Sequence, residues 1–146
     1  MQAIYPYFLT IHLICAIIFL GFIFTDVVLL SRVKKVLGEE LGQKLIQVVT
    51  QRGVKIMPLC VLLLVLSGGA MISRYISFES FWDSPLQKLL MIKLCLALLI
   101  VILVLNALFH KLILKKPNPI GAYTHIIVFV LGFGIVVLAK LAFFVN

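Results

Sequence analysis

Three histidines, His12, His110 and His125, fall within long apolar runs of this chain. A neutral imidazole in such surroundings suits a metal, the iron of a b-type haem, or a proton. Lys93 and Lys140 also interrupt apolar sequence. With His12 they form one layer, each residue roughly five to seven positions inside its apolar stretch. One imidazole beside two ammonium groups makes a pocket for an anion, such as a carboxylate or a haem propionate. Arg74 at the rim of the same layer adds a further cation. The alternative for either lysine alone is snorkelling, its stem carrying the charge to the surface.

A second constellation lies deeper along the chain. His110 and His125 each sit about one turn from the same end of their stretches, so their depths match. Together they could supply two axial nitrogens to a haem iron, with Lys111, Lys115 and Lys116 near enough to meet propionates. The simpler reading is that both are interfacial hydrogen-bonders. Asp26 and Asn106 share this layer. His12 and Asp26 are two heptads apart, which predicts one shared helix face pointing inward.

A third set is built of soft donors. His12 and Cys15 are spaced i, i+3, while Met91 and Cys95 are i, i+4, and Met71 could join them. Imidazole, thiolate and thioether suit Cu(I). Met and Cys are equally ordinary gap-fillers in apolar packing. The three cysteines are odd in number and form no CxxC pattern, so they are no disulfide framework or zinc site.

The elements that must hold these residues follow from composition. Of 146 residues, 64% are hydrophobic and 12% charged. A soluble domain is about half apolar and about a quarter charged, so a water-soluble globular fold is excluded. Four apolar stretches, at about residues 7–30, 54–73, 86–114 and 121–145, approach the ~20 residues that cross a bilayer as helix. Runs without alternation exclude a membrane β-barrel, and backbone satisfaction in lipid leaves helices. The prediction is an all-α, integral membrane four-helix bundle forming a single domain over residues 1–146. The N-terminus has no positive n-region and no small-residue cleavage site, so the first run reads as a retained helix.

The formal net charge of +8 would suggest nucleic acid in a soluble protein. Here its distribution argues for topology instead. The connection at residues 31–53, with Lys55, carries six cations, and the third connection adds Lys111, Lys115 and Lys116. The other side has only Arg74 and Lys88. That asymmetry predicts the first and third connections in the cytoplasm and both termini outside. Leu37, Leu41, Leu45, Val48 and Val49 recur at helical spacing, so residues 31–53 read as a basic amphipathic helix. Tyr75, Phe78, Phe81 and Trp82 suit an outer interface, and Pro58 is expected to kink the second helix. Ser67-Gly68-Gly69-Ala70 and Gly132 with Gly134 permit close helix packing or clearance for a flat cofactor.

The stretches IHLICAIIFLGFIF, LLMIKLCLALLIVI and VVLAKLAFF resemble the HemJ/CopD-like superfamily of small bacterial membrane proteins. The family's early LH…GxxF element looks like His12 followed by Gly21 to Phe24, and its third-helix lysine looks like Lys93. The resemblance implies a four-helix fold in the bacterial cytoplasmic (inner) membrane. It also implies haem b with a protoporphyrinogen-oxidase activity, or copper uptake as in the CopD-type relatives. The chain departs from the HemJ pattern in two places. Asp26 to Arg32 stand where a Leu-Pro-Arg and Tyr-His stretch is usual, and Ile102 to Val104 replace a histidine that follows the lysine.

The leading expectation is therefore a haem b protein carrying electrons between a membrane donor, a quinone-type or porphyrin substrate, and an acceptor. Its cofactor residues would be His12, Lys93, Arg74 and Lys140, with His110 and His125 as the alternative iron ligands. A copper conduit on His12, Cys15, Met91 and Cys95 is the alternative. An accessory subunit, packed against a partner chain or a second copy, is a third.

Overall fold

The computed structural model describes residues 4–73, 85–114, 121–142 and 144. Arg74, the aromatic group ending at Trp82, and Lys115 to Pro119 lie outside the described residues. All regular structure among those described is helical: α1 (Tyr5–Phe24), α2 (Leu30–Leu37), α3 (Glu39–Ile72), α4 (Pro85–Phe109) and α5 (Gly121–Ala142). Two π-helical turns, Thr25–Leu29 after α1 and His110–Leu114 after α4, extend those helices without breaking them.

Four helical spans result, Tyr5–Leu37, Glu39–Ile72, Pro85–Leu114 and Tyr123–Ala142, each long and apolar enough to cross a membrane. Their outward surfaces fit that use, since Ile17 is 71% exposed, Ile102 62% and Val130 62%. Side-chain hydroxyls within the spans bond to their own helix: Thr10 to the Pro6 carbonyl at 2.8 Å and Thr25 to that of Gly21 at 2.9 Å. Such back-bonding satisfies a hydroxyl where water is scarce.

The first connection is largely helical, as its periodicity predicts, but divided between two helices. Residues 31–37 continue the first span as α2, and residues 39–53 are the first turns of α3, which runs through Pro58 as one helix of 34 residues. The chain reverses at Gly38, whose φ of +82° is open to glycine and strained for other residues. Glu39 and Glu40 then occupy the first turn of α3, where carboxylates favour the positive helix end. The amphipathic segment is thus a helical hairpin, α2 packing on α3, and Leu37, Leu41, Leu45 and Val48 of its apolar stripe remain exposed.

α1 packs along α3 and α4 along α5, giving two antiparallel pairs joined where α1 meets α5. The core at mid-height takes one or two residues from each span: Phe19 and Ile23, Val61, Ile100 and Val128. Between apolar helices in lipid, burial from water supplies no drive, and close packing must hold the pairs together. The contacts show this. The Phe22 ring lies directly on Gly53, and Leu20 Cδ2 would be 2.5 Å from a Cβ added at Gly132.

Candidate functional site

The register that seats Phe22 on Gly53 carries His12 to the other end of α3. There Gly68 makes room for the imidazole, since an added Cβ would lie 3.2 Å from His12 Cε1. Beside it, His12 Nδ1 is 3.0 Å from Ser67 Oγ. The Ser67 hydroxyl donates to the Leu63 carbonyl at 2.5 Å. Its only proton is therefore committed, and Ser67 Oγ accepts from His12 Nδ1–H. This assigns the tautomer: the lone pair resides on Nε2. Ser67 is itself 2% exposed, so the acceptor is fixed by burial as well as by bonding.

Lys93 on α4 is half-buried and within electrostatic reach of the His12 ring. Among the described residues the backbones of α1 and α4 do not come close, and those of α3 and α4 do so sparsely. His12 and Lys93 thus flank a seam between the two helix pairs. Lys140, expected in the same layer, is exposed and lies over the Phe144 ring at 5.8 Å from its centroid. Arg74 lies outside the described residues.

The soft donors separate into two groups. Cys15 and Cys60 are both buried, and their thiols interact across the α1–α3 interface. Cys95 is exposed on α4 and Met91 half-buried one turn earlier. Cys60 was not singled out from the sequence as a partner of Cys15. Its spacing of seven residues from Ser67, which puts both on one face of α3, was the available signal.

At the Gly38 end the two histidines take different partners. His125 Nδ1 donates to Asp26 Oδ2 in the first π turn. His110 Nδ1 donates to the Asn106 carbonyl of its own helix at 3.0 Å, and its ring meets Phe109 edge-on at 6.2 Å. His125 and Asp26 line a cleft of about 130 Å³ together with Thr50, Lys111 and Thr124, and His110 is not among its lining residues. No described contact joins the two rings. His12 and Asp26 do not meet a common neighbour either. α1 keeps to α3 along its length, His12 on Gly68 and Phe22 on Gly53, while the π turn that follows it brings Asp26 to His125 on α5. Among the described residues no group of three or more His, Cys, Asp and Glu could hold a metal ion.

Ser67, Cys60, Thr50 and Thr124 are the residues that sequence reasoning did not assign to either site. No protein-family model, curated protein or solved structure matches this chain.

Proposed function

We propose that this chain is a multi-pass protein of the bacterial cytoplasmic membrane, a divergent member of the HemJ/CopD-like superfamily, that binds a b-type haem through His12. The observation that carries the reading is the His12–Ser67–Leu63 chain of hydrogen bonds. It places the lone pair on Nε2, the state an iron ligand requires, and holds the ring by a bond of the kind that orients metal-binding histidines.

The residues present fit the group. His12 would hold the iron through Nε2, with Gly68 leaving room for its ring, and Lys93 would offer a cation to a propionate. Bound there, haem provides one-electron transfer at its iron. The protein's own part is to hold His12 in one tautomer, pair a carboxylate with Lys93 and keep water from the iron. Electrons would come from a quinol or a porphyrinogen and leave to a membrane acceptor. The basic first and third connections orient the Gly38 end toward the cytoplasm, with both termini outside.

A second reading is copper handling. The observation favouring it is the Cys15–Cys60 thiol contact, a soft pair suited to Cu(I) at the interface that also holds His12. Purified protein in detergent decides between them. A reducible spectrum with Soret and α bands, lost in His12→Ala, is expected. Colourless protein with stoichiometric copper would overturn the haem reading in favour of the second. Protein lacking both would leave an accessory subunit whose polar residues serve helix contacts.

A further inference from the structure

Thirteen Lys and Arg face only five carboxylates in this chain, so most of its cations have no internal counter-charge. Asp26 is bonded to His125, and Glu40 pairs with Lys44 one turn along α3 at 3.0 Å. Glu39 opens α3, roughly three and a half turns before Arg52. Glu79 and Asp83 come in sequence after the opposite end of that helix. Among the described residues no carboxylate pairs with Arg52 or Lys55, and both are exposed. Three positions apart on one helix, they share a face. Gln51, also exposed, lies one turn from Lys55.

The depth of the two cations follows from what flanks them. From Ile56 to Ile72, α3 carries no charged side chain, so Arg52 and Lys55 stand where that apolar length meets the headgroup layer. Leu59, Leu62 and Leu66 carry the same face inward at spacings of three and four residues. They are 58%, 54% and 59% exposed. The packed face of α3 is a different one, where Gly53 takes the Phe22 ring and Cys60 meets Cys15. Cations and leucines together thus form one open strip, charged at the membrane boundary and apolar below it.

That combination selects its ligand. A free phosphate would use the cations and leave the leucines bare. A zwitterionic lipid brings an ammonium group of its own toward two uncompensated cations. A phospholipid of net negative charge satisfies both parts of the strip. We propose that the outer face of α3 from Gln51 to Leu66 binds an anionic phospholipid. Its phosphate pairs with Arg52 and Lys55, and an acyl chain lies along Leu59, Leu62 and Leu66. Gln51 offers its amide to a headgroup hydroxyl. The site requires a bilayer and does not depend on haem.

The test adds spin-labelled phosphatidylglycerol or phosphatidylcholine to the full chain in phosphatidylcholine bilayers. Electron paramagnetic resonance then reads the motionally restricted fraction, which is lipid held against the protein. Phosphatidylglycerol should be preferred, and Arg52→Gln and Lys55→Gln should each lower that preference about fivefold. Lys44→Gln removes the same charge from elsewhere on α3, where Glu40 already pairs with it, and should leave the preference unchanged. Equal retention of the two lipids by the unaltered chain overturns the proposal. So does a loss in Lys44→Gln as large as in Arg52→Gln, which would mean diffuse attraction without a site. Displacement of the labelled lipid by millimolar inorganic phosphate would assign the cations to a free anion instead.

Discussion

His12 and Ser67 are joined by a bond that can run in only one direction. Ser67 Oγ stands 3.0 Å from His12 Nδ1, and its proton is spent on the Leu63 carbonyl. The serine is therefore an acceptor, and the imidazole presents an unprotonated Nε2. A side chain on α3 thus sets the chemistry of one on α1.

Ser67→Ala should keep the fold and lower haem affinity by about 10–100-fold, the usual loss when a ligand's supporting hydrogen bond is removed. Titration of apoprotein with haemin, followed at the Soret band, measures it. His12→Ala should abolish the band. Equal affinity in Ser67→Ala and the parent would show that the serine does not support a ligand.

The two lysines of the predicted anion pocket should separate. Lys93→Met removes the cation beside His12 and should weaken haem binding. Lys140→Met should leave it unchanged, because Lys140 is exposed and engaged with Phe144. The same haemin titration reads both, and an equal loss in the two variants would contradict the assignment.

Glycines of similar sequence context should differ in tolerance. Gly53→Val puts a branched side chain where the Phe22 ring lies, an overpacking that costs about 1–3 kcal/mol. Gly69→Ala meets nothing within 4 Å and should be neutral or stabilising by up to about 1 kcal/mol through helix propensity. Thermal denaturation in detergent, monitored by loss of helical circular dichroism or by aggregation, ranks them.

Thiol labelling should report one accessible cysteine among three. Cys95 is exposed whereas Cys15 and Cys60 are buried, so an apolar maleimide should add once to the folded protein in detergent. Intact mass spectrometry would show a single adduct, absent in Cys95→Ser. Labelling of Cys15 before denaturation would disprove the α1–α3 packing around it.

Reading these residues in sequence identified the spans because length and apolar content are local properties. The break at Gly38 was less legible. Amphipathic periodicity runs across residues 31–53 on both sides of it, and only the positive φ shows that the stripe belongs to two antiparallel arms. The start of α3 at Glu39, well before the apolar stretch that opens near residue 54 and contains Pro58, was also less legible, because its first turns are polar and amphipathic.

The sequence by itself determined that this chain is four apolar helices with basic residues gathered at one end and a few polar groups within the spans. It also picked out His12 and Lys93, because a polar residue in an apolar run is visible without any neighbour. The tertiary structure decided who meets whom. Cys15 meets Cys60 rather than Cys95, His125 meets Asp26 rather than His110, and His12 meets Ser67. Those pairings depend on helix rotation and register, set by contacts such as Phe22 on Gly53 and Leu20 on Gly132. A periodicity within one helix carries no record of its neighbour's.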